Sequence, residues 1–175
     1  MKWLLLIIKS TNVSSRDRMF IWRKIKNTVA VPLSHSVYLL QDTEENRVTA
    51  SNITRIVHER NGEVLQFFAD TSNKEQEQKL NELIAQEVIT EIKEYSKLCR
   101  DFIADVNQCI SKKSFEVLEL EELNDDLHQL DKIRIKLIQK YKPDSNKIVI
   151  LSKEIGKCKE KLNEFEEKIH QINEV

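Results

Sequence analysis

The chain has 175 residues, a formal net charge of −1, 40% hydrophobic residues and 33% charged ones. That leaves room for one or two domains with a buried core and excludes a disordered or collagen-like chain. Two glycines and two prolines are few turn formers, so long helices are expected. The three cysteines, Cys99, Cys109 and Cys158, lack CxxC spacing and read as reduced core residues, not as a disulfide scaffold.

The apolar run Trp3–Ile8 meets Lys9 at once, and no small-residue cleavage site follows. No segment reaches the roughly 18 apolar residues of a membrane span. A cytoplasmic chain without membrane contact is therefore expected, and the run reads as a strand buried on both faces. Ser14, with Asp17 three residues on, opens a helix by a capping box.

That helix, RDRMFIWRKIKN over 16–27, carries five cations and a Trp. Residues 1–30 hold seven Lys/Arg and a single acid, Asp17, while the remainder of the chain is acidic. On a helical wheel Arg16, Arg23, Lys24, Lys26 and Asn27 share one arc, with Met19 and Phe20 among them. Ile21, Trp22 and Ile25 share the opposite arc, and Trp22 is expected to pack between the first strand and the helix. Arg18 falls in the middle of that apolar arc, where a guanidinium needs a carboxylate, backbone carbonyls or a partner subunit. A buried ion pair or a dimer contact is expected there. Such a concentrated positive field is what a polyanion-binding surface requires, although a solvated basic face would show the same composition.

Two extended pieces follow, Val29–Leu33 with the edge-favouring Pro32, and Ser36–Gln41. Asp42 and Glu45 open a second helix through Arg60, carrying Val48, Ile53, Ile56 and Val57, and Asn61-Gly62 closes it. Glu63–Ala69 is the last strand. The order strand, helix, strand, strand, helix, strand predicts a ferredoxin-like domain over 1–70.

From 72 onward the apolar period changes to about 3.5, which predicts an all-α region over 72–175 and an α+β chain overall. Ser72 and Glu75 cap the first long helix, with the stripe Val88, Ile92, Tyr95, Cys99, Phe102, Val106, Cys109. A second helix, Glu116–Tyr141, buries Leu120, Leu123, Leu127, Leu130 and Leu137. The third starts near Ser145 with Ile148, Leu151, Ile155, Cys158, Leu162, Phe165, Ile169 and Ile172. Short loops favour an antiparallel three-helix bundle within one chain. Glu116–Asp131 carries seven acids and no Lys or Arg. It reads as a solvated face favoured near a helix N-terminus, or as an acidic surface that docks a basic helix.

The whole chain resembles the N-terminal region of the chromate-resistance regulator ChrB. The resemblance rests on MKWLLLI, on the R-x-R-x-x-x-W-R-K-x-K block at Arg16, Arg18, Trp22, Arg23, Lys24 and Lys26, and on SVYLL at Ser36–Leu40. EYSKLCRDF (Glu94–Phe102) and FEVLELEELNDDLHQLDKI (Phe115–Ile133) extend it into the second half. It implies a transcription regulator whose N-terminal region contacts operator DNA, with a domain similar to that of phenylacetate-pathway repressors and small CRISPR nucleases. Members of the family continue into a larger domain linked to chromate response, whereas this sequence stops after the helical region, so operator binding is carried over and chromate sensing is not. Thr28-Val29-Ala30 stands where the family has Gly-Ala, and the turn there is expected to differ.

The related nucleases hold metal with an Asp at the end of the first strand, where this chain reads Ile8-Lys9-Ser10. Without that carboxylate no activated water is expected, and the chain is read as no enzyme. His35, His58, His128 and His170 show no ligand spacing, and no Gly-rich phosphate loop exists, so no metal or cofactor is expected. Ser34-His35-Ser36 places neighbours on opposite faces of an extended segment. Two readings remain. One is a homodimeric DNA-binding regulator with phosphate contacts from Arg16, Arg23, Lys24 and Lys26, dimerising through Arg18 and the open edges of its sheet. The other is a non-enzymatic protein-interaction adaptor using the acidic helical bundle.

Overall fold

The computed structural model describes residues 2–112 and 116–173. It is α+β, with the elements β1 (Lys2–Lys9), α1 (Ser15–Lys26), β2 (Val31–Ser34), β3 (Val37–Gln41), α2 (Glu44–His58), β4 (Glu63–Asp70), α3 (Lys74–Lys112), α4 (Val117–Tyr141) and α5 (Ser145–Asn173). The chain divides into two compact units, residues 1–87 and 88–175.

In the first unit the four strands form one antiparallel sheet in the order β2-β3-β1-β4. Strand period 2 sorts β1 into two faces: Leu4, Leu6 and Ile8 point into a core that includes Ile21 and Ile25 of α1 and Ala50, Ile53 and Val57 of α2. On the other face Trp3 is buried, while Leu5 and Ile7 are half-buried. β2 carries Pro32 on the outer edge of the sheet, with a bulge between Pro32 and Ser34, where a missing N–H costs no ladder bond.

Helix ends follow side-chain chemistry. Ser14 Oγ accepts from Asp17 N at 3.1 Å and Thr43 Oγ1 from Asn46 N at 3.2 Å. Thr43, not Asp42, therefore caps α2, and Asp42 instead accepts from Arg47 Nε at 2.6 Å and Nη2 at 2.9 Å. Val48, expected on the apolar stripe, is exposed, because Ala50, Ile53 and Val57 already fill the buried line. Gly62 is required by close approach: a Cβ there would lie 2.6 Å from Val57 Cγ1. At α3, Asn73 Oδ1 accepts from Gln76 N at 2.9 Å, so Asn73 supplies the cap expected of Ser72.

The second unit buries a single apolar cluster drawn from α3, α4 and α5. Ile92, Tyr95, Cys99, Phe102 and Val106 come from α3, Leu123, Leu130 and Leu137 from α4, and Leu151 through Ile169 from α5. Leu120 and Leu127 are half-buried against it. The side chain of Ile172, and Phe115, lie outside the described residues. Cys99 and Cys158 are free and buried, with the Cys158 thiol directed at the Cys99 carbonyl at 3.6 Å, which fits reduced core cysteines.

Candidate nucleic-acid interface

Only Ile21 and Ile25 of α1 are buried. A helix steps about 100° per residue, so with those two on the sheet side the opposite side must face solvent. Arg16, Arg23, Lys24 and Lys26 are all exposed there. None of the ion pairs among the described residues includes Arg16, Arg23 or Lys24. Their charge is therefore not spent within the unit.

The aromatics of α1 are interleaved with these cations. Lys24 Nζ lies 5.3 Å from the Phe20 ring centroid and Lys26 Nζ 5.5 Å from that of Trp22. Arg60, just past α2, stacks over Phe20 at 3.7 Å and reaches Asp17 Oδ1 at 3.6 Å. The sequence reading missed this residue; with Glu59 Oε2 3.7 Å away as well as Asp17, its charge is paired, and it braces Phe20 against α2. Arg60 lies far from α1 in the chain, and only the packing of α2 beside α1 brings it there, so no local pattern marks it.

Two expectations for this helix are corrected. Trp22 is 49% exposed, since it stands one 100° step from Ile21 and off the buried line, and the buried tryptophan is Trp3, on the other face of β1, at 1% exposed. Arg18 is also exposed and makes no buried ion pair; its Nη2 donates to Ser15 Oγ at 3.0 Å. The turn after α1 is built by Thr28, whose Oγ1 donates to Ile25 O at 2.7 Å and accepts from Ala30 N at 3.2 Å. A hydroxyl thus ends this helix where a glycine would otherwise be the usual device.

Beside α1 lies a cleft of about 190 Å³. Ile8 and Ser10 close it at the end of β1, His35 and Ser36 come from the β2–β3 turn, and Tyr38 from β3. The helix contributes Arg18 and Trp22 above Ile21 and Ile25. Burial pushes the Tyr38 hydroxyl above its ordinary pKa, so it meets any ligand as a neutral group.

Among the described residues no group of three or more His, Cys, Asp or Glu side chains is placed to hold a metal ion, and no helix is long and apolar enough to cross a membrane. Residues 18–175 match the family described as Protein ChrB, N-terminal. No curated protein matches the chain.

Proposed function

The chain belongs to the ChrB N-terminal family, and from that premise we propose a DNA-binding transcription regulator of the chromate-resistance type. The observation that carries this is the exposed arc of Arg16, Arg23, Lys24 and Lys26, with no carboxylate paired to Arg16, Arg23 or Lys24, in a chain of net charge −1. Positive charge left uncompensated on one face of one helix is suited to phosphates, and neutralising them releases counterions. Met19 and Phe20, exposed within that arc, add apolar contact.

We read the βαββαβ order with strand order β2-β3-β1-β4 as the ferredoxin-like split motif, and α3, α4 and α5 as an up-down-up bundle around their common core. β2 and β4 are the outer strands of the sheet, and they are the edges through which a homodimer would form. No step of catalysis is assigned; the chain acts by binding, in the cytoplasm. A titration of the full chain with promoter DNA at increasing salt tests the reading. Log affinity falling linearly with log salt, with a slope of about −0.9 per phosphate contact, supports it, and salt-independent or absent binding overturns it.

A second reading, the protein-interaction adaptor, is favoured by the start of α4. Val117 and Leu118 are 63% and 62% exposed there, beside the exposed acids Glu121, Glu122, Asp125 and Asp126. Tight capture of a basic amphipathic partner by the chain, with no DNA shift, would favour the adaptor over the regulator.

A further inference from the structure

We propose that the cleft beside α1 receives one unpaired nucleobase, an inference that rests on the DNA-binding reading above and names the form of DNA the site prefers. At about 190 Å³ the cleft is smaller than the roughly 300–1,000 Å³ of pockets for drug-sized ligands and suits one flat heterocycle. Its two halves differ in chemistry. Ile21 and Ile25 form a buried apolar floor, and Trp22, half exposed at the rim, offers an indole face. Arg18, His35 and Ser36 bring donors and acceptors to the same space.

Arg18 has hydrogen-bonding capacity to give. Its Nη2 meets only the Ser15 hydroxyl, at 3.0 Å, so the remaining guanidinium N–H groups can serve a ligand without breaking an ion pair. A bare oxyanion would use Arg18 and the hydroxyls but gain nothing from the isoleucines and the indole. A base uses both, its ring stacked on Trp22 and its edge against the polar groups. The neighbouring cations fit the same strand, because Lys26 stands over the Trp22 ring at 5.5 Å and Arg23 is the next residue of α1. A paired base inside a duplex cannot enter, so the preferred target carries an extrahelical, looped or melted nucleotide.

The test uses the full chain and three labelled DNAs of one sequence: a fully paired duplex, the same duplex with one extrahelical base, and the same with an extrahelical abasic residue. Anisotropy gives affinity. Tryptophan emission reports the cleft, because the chain holds two tryptophans and Trp3 is 1% exposed. The base-bulged duplex should bind about tenfold tighter than the other two and quench the emission. Trp22→Leu and, independently, Arg18→Gln should abolish that preference and leave salt-dependent binding of the paired duplex unchanged. Equal affinity for the base-bulged and abasic-bulged duplexes overturns the cleft proposal while sparing the DNA reading, as does quenching by inorganic phosphate alone. Failure of all three DNAs to bind overturns both.

Discussion

In residues 88–173 several cations stand against carboxylates. Lys140 Nζ meets Glu91 Oε1 at 2.7 Å, Arg134 Nε meets Asp131 Oδ1 at 2.8 Å, Lys157 meets Glu154 at 2.8 Å and Lys161 meets Glu164 at 2.6 Å. Along α1, Arg16, Arg23 and Lys24 have no such partner. Both regions are rich in basic residues, but in the helical unit even cations outside these pairs, such as Lys93, Lys97 and Arg100, have acids close by in sequence (Glu91, Glu94, Asp101), whereas residues 16–27 hold a single acid, Asp17. Composition cannot separate these cases, because it counts charges and not their neighbours. Several aromatic residues differ in the same sense. The helical unit buries Tyr95, Phe102 and Phe165, whereas α1 shows Met19, Phe20 and Trp22 to solvent.

The largest expected effect lies on the structural side of that contrast. Phe165 is 0% exposed at the centre of the helical core, and Phe165→Ala should cost about 3–5 kcal/mol by denaturant titration. Trp3→Ala should behave alike in the sheet unit, while Trp22→Ala should stay within about 1 kcal/mol of the parent. A Trp22→Ala variant as unstable as Trp3→Ala would mean that the indole is packed in solution, and the division between a buried and a displayed tryptophan would fail.

Next in size is the functional side. Replacing Arg16, Arg23, Lys24 and Lys26 together with Ala should leave the melting temperature nearly unchanged and lower the salt slope of DNA binding by roughly four units. An unchanged slope would show that these cations are only a solvated face. Glu91 belongs to the paired set, its side chain 14% and that of Lys140 12% exposed. Glu91→Gln, which removes a counter-charge from a largely desolvated ammonium, should cost about 1–3 kcal/mol in a denaturant titration and leave DNA affinity intact. Loss of DNA binding with stability unchanged would contradict the assignment of Glu91 to structure.

Much of this was legible from spacing alone, since heptads and capping boxes are local properties. The stripe from Leu151 to Ile169 is buried at every expected position, and Ser14 caps α1 through Asp17 N. The misreadings have physical causes. Trp22 sits at the margin of the apolar arc, where a wheel cannot say whether the sheet reaches it. Val48 and Ser72 carry the right residue type at the right period, but Ala50 and Asn73 take their roles. Arg60 reaches Phe20 and Asp17 only through tertiary packing, and Arg18 lines the cleft and is not buried. Pattern shows which residues are able to be buried; the neighbouring elements decide which are.

The smallest expected effect concerns the bidentate Arg47–Asp42 pair of the sheet unit. The Arg47 guanidinium grips Asp42 with two bonds and also stands 5.2 Å over the Phe68 ring, linking the end of β3, the first turn of α2 and β4. Hydrogen bonding from Arg47, opposed by partial desolvation and aided by its charge, holds the Asp42 carboxyl below the usual carboxylate range. The sign follows from linkage. A carboxyl whose pKa is depressed in the folded state stabilises fully above the unfolded value, roughly pH 4, and the contribution disappears as pH falls through the folded value. The melting temperature of Asp42→Asn should therefore lie below that of the parent at about pH 7, and the gap should narrow as the solution is taken to about pH 3. Because the Arg47 side chain is exposed while that of Asp42 is covered, added salt should shrink the gap at neutral pH only in part. A gap of constant size across that range would mean that Asp42 acts through shape and not through charge.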